Sequence, residues 1–335
     1  MKCRSCGETL TKKTHEIPSY FGETTFLVSR CYCGCSQINK SYSFTDDNIY
    51  DKIYSNPKLY GYGRYFEYYN NIKDKNQPLE YLTNIEDTYY GINKSLRKYL
   101  NKKSSILEIG SGLGYTTYAL RKSGYNAIGF DISKESVDKA NTRFGIFFKC
   151  IDIFEKKVNS IESFDAIICS EVIEHVDNPN EFLKHCYKYL NPNGILILTT
   201  PNGSNYDNNV IWKSSLPPVH ISFFNKKSLN TLVNRSGGKI LEFININNFY
   251  WKNPEFDVNS NNFKTYSKKN IALFSKKSNV KNFFRFWIKI PYFGFLLLNF
   301  YNLFRNEMVL FGKNNASKVI VCIIQKDKMS IKSNS

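Results

Sequence analysis

The sequence predicts an α/β protein built on a doubly wound, mostly parallel sheet, and three observations carry that expectation. Short apolar runs at 105–109, 126–130, 146–151, 164–169 and 194–199 alternate with helical segments that include 115–122, 133–142 and 180–190. Such alternation places crossover helices on both faces of a parallel sheet. The first run, Ile106-Leu107-Glu108-Ile109, stops at Gly110-Ser111-Gly112-Leu113-Gly114, three glycines on alternate positions, and Tyr115 to Lys122 can then start a helix. Strand, glycine turn and helix let a backbone approach a nucleotide-like ligand closely. The next run ends in an acid, Asp131, where the hydroxyls of a ribose would lie.

Before this core come two segments of different character. Residues 1–45 carry Cys3-Arg4-Ser5-Cys6-Gly7, a C-x-x-C-G knuckle, and, after a 24-residue gap, Cys31, Cys33 and Cys35. Two such groups read as a small zinc ribbon, with four thiolates around a structural ion and no open position for catalysis. Cys3 and Cys6 supply two ligands, and Cys31 with either Cys33 or Cys35 completes four of the five. Residues 46–104 form a polar, tyrosine-rich helical connector or lid, in which Leu59 to Phe66 contains two glycines able to hinge. It either closes over the ligand or packs its tyrosines on the core.

The core itself spans 105–249 and 316–328. Asn191-Pro192-Asn193-Gly194 reads as a turn before the strand at 194–199. A helix at 226–235, a strand at 239–246 and a last strand from Val319 to Ile324 follow, separated by an aromatic, basic helical insertion at 250–315. In it Pro291 divides two bulky apolar segments flanked by Lys and Arg, each too short to span a bilayer. This suits a peripheral membrane contact through 283–311, and equally a helical lid buried on the protein's own core.

Composition narrows the partners. The 335 residues carry a formal charge of +17, and from Lys264 onward fourteen Lys and Arg face only Glu307 and Asp327. That asymmetry suits an anionic partner such as a lipid surface, a nucleic acid or a phosphorylated glycan carrier, and a codon bias towards Lys and Asn accounts for it equally well. The opening residues Met1-Lys2-Cys3-Arg4 lack the apolar core of a secretory signal. A cytoplasmic location, with or without membrane association, is expected, and the nine cysteines are then read as metal ligands or core residues.

The glycine turn departs from a dinucleotide fingerprint, which needs G-x-G-x-x-G: here the spacing is G-x-G-x-G, with Tyr115 and Thr116 next and Glu108 before the first glycine. Leu107-Glu108-Ile109-Gly110-Ser111-Gly112-Leu113-Gly114 resembles the first motif of class I S-adenosylmethionine-dependent methyltransferases. Four further stretches match in order: Gly129 to Ser133, Cys150 to Phe154, Phe164 to Val176 and Asn191 to Leu198. Within that superfamily the chain resembles the branch of ubiquinone-biosynthesis O-methyltransferases and of bacterial glycan-cluster methyltransferases, members of which carry an N-terminal zinc ribbon. The resemblance implies a seven-stranded, Rossmann-like sheet. It also implies that Gly110, Ser111, Gly112 and Gly114 line the methionine and ribose part of the cofactor, and that Glu108 meets the methionine end. Asp131 and Ile132 would take the ribose, Asp152 and Ile153 the adenine, while Ser170 faces the methyl-donor pocket.

Methyl transfer from a sulfonium asks the protein for alignment and for removal of a proton from the nucleophile. His175 is the leading base, and His220, on the stretch after the fifth strand, is the second. Glu171 joins them. A helix starting near Ser170 would put Glu171, Glu174 and His175 on one face, and with His220 they would hold Mg²⁺ or a similar cation. The resulting expectation is methyl transfer to an oxygen of a small-molecule or glycan acceptor. The alternatives are a metal-assisted RNA 2′-O-methyltransferase, against which the lack of an RNA-recognition motif weighs, and a non-catalytic binding protein that keeps the fold.

Overall fold

A computed structural model describes residues 1–10, 14–39, 49–155, 163–204, 213–244, 246 and 319–327. The insertion expected at 250–315, with its membrane-contact or lid segment at 283–311, lies outside the described residues, as does most of the basic C-terminal stretch.

Five strands run parallel: β4 (Ser105–Ile109), β5 (Asn126–Asp131), β6 (Phe148–Cys150), β7 (Phe164–Ser170) and β8 (Leu190–Pro201). The antiparallel strands β10 (Gly238–Phe243) and β11 (Val319–Lys326) complete the sheet, in the order β10-β11-β8-β7-β4-β5-β6. The fold is therefore a Rossmann-like, mostly parallel seven-stranded sheet. The chain steps outward from β4 through β5 to β6 and returns to the other side of β4 as β7, so the strand order reverses between β4 and β7. Open parallel sheets bind their ligands at the carboxyl ends of the strands beside such a reversal.

The central strands are apolar throughout because both faces are covered. Ile106, Ile168, Ile197 and Val321 point to one side, where they pack against Ile92 and Leu96 of α4 (Asp87–Tyr99), Leu120 of α5 (Tyr115–Lys122) and Val137 of α6 (Lys134–Phe144). Their neighbours Leu107, Ile167, Leu196 and Leu198 point to the other, against Phe182 and Leu183 of α7 (Pro179–Lys188) and Leu229 and Leu232 of α8 (Lys226–Arg235). Short polar residues start the helices. The Ser133 hydroxyl accepts from Ser136 N at 3.2 Å, Asn178 Oδ1 accepts from Glu181 N at 3.2 Å ahead of Pro179, and Asn225 and Ser228 form a reciprocal capping box. On the first face α4 is preceded by α2 (Gly63–Asn71) and α3 (Pro78–Ile85), while Ile49 and Ile53 of α1 (Ile49–Ser55) are buried with Ile17, Val28 and Ile38.

The cysteine-bearing segment is continuous with this core. Its strands β1 (Thr14–Ser19), β2 (Gly22–Arg30) and β3 (Ser36–Ile38) form an antiparallel sheet whose fourth strand, β9 (Ser222–Phe223), comes from the far side of β8. Cys3, Cys31, Cys33 and Cys35 belong to the same buried cluster as α7 and α8.

Two local expectations are corrected. Asn191-Pro192-Asn193-Gly194 is not a turn ahead of a strand but the opening of β8, with Asn193 left-handed (φ 67°) and a register shift opposite Phe164 and Ala166. Asn191 Nδ2 donates to Asp165 Oδ1 at 2.9 Å, which keeps the bulged stretch attached to β7. Nor does a helix begin near Ser170: Glu171 N still donates to Thr199 O at 3.2 Å, Glu171 is left-handed (φ 56°), and only a 3₁₀ turn, Ile173–His175, follows.

Gly114 is left-handed (φ 81°) at the start of α5, and a Cβ there would sit 2.6 Å from Phe148 Cζ and 2.7 Å from Ala140 Cβ. Gly114→Ala combines backbone strain with overpacking between α6 and β6, and is expected to destabilise the protein by at least about 1–3 kcal/mol. Denaturant melts of the two proteins measure this, and an unchanged midpoint would contradict the packing described.

Candidate active site

The carboxyl ends of the parallel strands open into one cavity of about 850 Å³. Of the residues expected from the sequence, Glu108, Gly110, Ser111, Gly112, Asp131, Ile132, Asp152, Ile153, Ser170, Glu171, His175 and His220 all stand on its wall. Gly114 is not among its lining residues: its conformation starts α5 and its bare face meets Phe148 and Ala140.

Asp131 organises the glycine turn. Its Oδ2 accepts from Gly112 N at 2.7 Å and its Oδ1 from Ser133 N at 2.9 Å, while Gly110 N and Ser111 N donate to Phe130 O at 2.8 and 3.0 Å. Each carboxylate oxygen keeps a second lone pair that could take a hydroxyl. Burial raises the Asp131 pKa against the lowering effect of these backbone donors. Ser111 Oγ is buried without a partner on the same wall. Asp152, at the exposed rim, accepts from Phe154 N at 2.9 Å, and Ile153 beside it is buried.

Glu108 is 2 % exposed and its carboxylate is taken by the Thr117 hydroxyl at the start of α5. Burial pushes its pKa up to about 7. It lines the cavity, yet it is anchored to the protein.

The tyrosines of the connector form the opposite wall. Tyr54, Tyr62, Tyr65, Tyr68, Tyr89 and Tyr115 reach the cavity. Tyr54 lies over the turn, so that a Cβ on Gly112 would come within 2.8 Å of its hydroxyl. Arg64 pairs with Glu86 at 2.6 Å among these rings, and Tyr68 donates to the same carboxylate at 2.7 Å. Spacing could not have singled these residues out, because they converge only when α1 and α2 pack against α4 and α5.

A further group of polar side chains comes from two segments. Glu174 and His175 sit on the 3₁₀ turn after β7; His220 precedes β9. Glu174 Oε1, one nitrogen of His175 and one of His220 lie within 4.8 Å of one another. Glu174 Oε1 and His220 Nδ1 are buried without partners, and His175 Nε2 is 4.0 Å from Glu174 Oε1. His175 Nδ1 is 2.5 Å from Val219 O, to which it can donate, and the Glu171 backbone is a second hydrogen-bond partner of the ring. Burial pulls His175 down to about 4 and His220 well down as well; burial and then the Glu171 charge push Glu174 well up. Glu171 stands apart from the three: its Oε1 accepts from the Thr199 hydroxyl at 3.2 Å. The left-handed bend at Glu171 replaces the helical spacing expected there, and its charge still reaches Glu174.

A second cluster lies outside the cavity. The sulfurs of Cys3, Cys6, Cys31 and Cys33 lie within 4.8 Å of one another, with Cys3–Cys33 at 3.6 Å and Cys6–Cys31 at 3.4 Å. Four thiolates around a zinc at about 2.3 Å would stand about 3.8 Å apart, so the set fits that ion. The fifth cysteine, Cys35, instead contacts Ser36 O at 3.6 Å.

Residues 86–242 match the model of a family described as a methyltransferase domain. A ubiquinone biosynthesis O-methyltransferase of Coxiella burnetii (strain Dugway 5J108-111) is 28 % identical over 173 residues, 47 % of this chain and 72 % of that protein. The mitochondrial ubiquinone biosynthesis O-methyltransferase of Rattus norvegicus is 33 % identical over 105 residues, covering 29 % of this chain and 30 % of that protein. Among solved structures, an S-adenosylmethionine-dependent methyltransferase from Clostridium acetobutylicum ATCC 824 is similar with a TM-score of 0.43 at 12 % identity, covering 79 % of this chain and 99 % of that one.

The Glu108 carboxyl provides a test of the desolvated wall. Below about pH 4.5 it is neutral folded and unfolded; between 4.5 and 7 only the unfolded state ionises, so stability falls, by roughly 3 kcal/mol once above 7. Glu108→Gln keeps an acceptor for Thr117 and removes the charge. The ligand-free variant is expected to be more stable than wild type at pH 8 and equal to it at pH 4. Denaturant titrations at the two pH values check this, and a variant no more stable at pH 8 would contradict it.

Proposed function

We propose that this chain, a class I S-adenosylmethionine-dependent methyltransferase, moves the methyl group to an oxygen of a small-molecule or glycan acceptor held against Glu174, His175 and His220. The observation that carries the reading is the pair of buried, unpartnered atoms His220 Nδ1, on a residue of the cavity wall, and Glu174 Oε1, on a residue next to that wall but not part of its lining. Leaving such atoms orphaned costs about 1–3 kcal/mol each, so their natural partner is a bound group. One carboxyl and two imidazoles gathered within 4.8 Å make a compact polar group, which suits an acceptor's hydroxyl or a divalent cation. The relatives named as ubiquinone O-methyltransferases support oxygen as the atom modified.

In this reading the cofactor lies along the glycine turn. Asp131 and Ile132 hold the ribose, Asp152 and Ile153 the adenine, and the backbone of Gly110 to Gly112 the methionine and ribose, with Glu108 behind them. Ser170, at the end of β7, lies between this half and the acceptor. His175 is oriented by the Val219 carbonyl and the Glu171 backbone. Held near a pKa of 4, it is a weak base alone and a good neutral ligand. A divalent ion in the three-residue site supplies a Lewis acid that lowers the pKa of the acceptor hydroxyl. Glu171 adds negative charge beside the site and raises Glu174.

His175→Ala is expected to lower turnover by about 10²–10⁴-fold while S-adenosylhomocysteine affinity stays within about twofold, since that half of the cavity is built on β4 and β5. Release of S-adenosylhomocysteine across a panel of hydroxylated aromatic and sugar acceptors, with and without EDTA and added Mg²⁺, reads both. Full activity in the variant would overturn the role of this residue, and insensitivity to EDTA would remove the cation.

We further propose that Cys3, Cys6, Cys31 and Cys33 hold a structural zinc. One zinc per chain is expected by elemental analysis, lost in Cys33→Ser and kept in Cys35→Ser. The opposite pattern would reassign the fourth ligand.

A further inference from the structure

We propose that the cysteine module is part of the acceptor site's positioning machinery, with Arg4 locking the segment that carries Glu174 and His175 against the segment that carries His220. Arg4 lies inside the first knuckle and is 9 % exposed. Its Nη2 donates to Asp177 Oδ1 at 2.7 Å, and its Nε reaches Asp177 O at 3.2 Å and Oδ1 at 3.3 Å. Its Nη1 donates to Ile38 O at 3.2 Å and to Ile221 O at 3.3 Å. Asp177 lies two residues beyond His175, and Ile221 follows His220 directly. One guanidinium thus grips both acceptor-side segments at once.

The two segments are also tied directly to each other. Ile221 N donates to Glu174 O at 3.0 Å, and His175 Nδ1 bonds Val219 O at 2.5 Å. Arg4 is held in turn by its own module and by α8. Its N donates to Gln37 Oε1 at 2.6 Å, Ser5 Oγ donates to Ser228 O at 2.7 Å, and Arg235 Nη2 donates to Arg4 O at 3.3 Å. The four sulfurs close the knuckle around it, and β3 pairs with β9 just beyond Ile221. A planar fork with several N–H groups reaches four acceptor atoms on three residues here, whereas a lysine offers one point charge. Displacements near 1 Å in a reacting constellation cost about 10²-fold in rate, so a module with none of its described residues on the cavity wall still sets turnover.

The functional meaning rests on the acceptor-side role proposed for Glu174, His175 and His220, whereas the positioning itself is read from the rings directly. The chain has four histidines, so the full-length protein labelled with ¹³C and ¹⁵N in histidine gives a resolvable spectrum. In wild type the edge-on rings of His175 and His220, with centroids 4.7 Å apart, should show a ring-to-ring nuclear Overhauser effect, and the His175 ring nitrogens should report the bond to Val219 O. In Arg4→Ala the Overhauser effect is expected to fall at least severalfold and the His175 nitrogen signals to shift. S-adenosylhomocysteine affinity should stay within about twofold, kcat should drop about tenfold or more, and Arg4→Lys should recover part of each loss. If Arg4→Ala fails to fold, Asp177→Ala removes the principal contact from its half-exposed end and carries the same expectations. Unchanged histidine signals in a folded variant that binds S-adenosylhomocysteine would overturn the proposal, whatever happens to turnover. Altered histidine signals with unaltered turnover would leave the positioning intact and overturn the acceptor-side reading instead.

Discussion

Desolvated ionisable groups at the carboxyl edge of the parallel sheet are the constraint around which the loops of this protein are arranged. Glu108, Asp131, Glu174, His175 and His220 are all buried or nearly so there, and each has lost water that must be replaced. Asp131 is satisfied by backbone N–H groups, and in accepting them it shapes the glycine turn. Glu108 is satisfied by the hydroxyl of Thr117 and joins β4 to α5. Around Glu174 and His220 satisfaction is incomplete, because each keeps an orphaned atom. The edge thus divides into a closed half that is stable by itself and an open half that asks for a ligand.

The open half needs support from outside the parallel sheet, since β7 and β8 end in separate loops. That support comes from both ends of the described fold. The tyrosine-bearing helices cover the glycine turn through Tyr54, and Tyr62 reaches Ser214 O at 2.8 Å on the stretch leading to His220. The cysteine module adds β3 to β9 and brings Arg4 to the back of the histidines. Its cysteines are buried against α7 and α8, so its contribution to folding and its contribution to the site cannot be separated by cutting the chain between them.

Much of the closed half was legible in the sequence. A nine-residue stretch ending at Gly114 and an acid closing the next strand define a turn and its anchor locally, and a local pattern survives folding. Gly114 was misjudged in kind, since spacing cannot tell a glycine that faces a ligand from one that faces Phe148. The open half was read less well. Helical periodicity grouped Glu171 with Glu174 and His175, but continued pairing of Glu171 with Thr199 bends the chain before a helix can start. The choice between Cys33 and Cys35 depended on the conformation of one short turn, and the Arg4 contacts link residues more than 170 positions apart. Nothing in the spacing of charged residues encodes such a contact.

The central claim is that one cavity joins a cofactor half anchored by Asp131 to an acceptor half centred on Glu174, His175 and His220. A crystal structure with S-adenosylhomocysteine and Mn²⁺, recorded with anomalous scattering from manganese, tests it most directly. The account predicts ribose hydroxyls on the Asp131 carboxylate and an anomalous peak between Glu174, His175 and His220. Ribose density away from Asp131, or manganese bound elsewhere with the three side chains unmoved and unliganded, would contradict it.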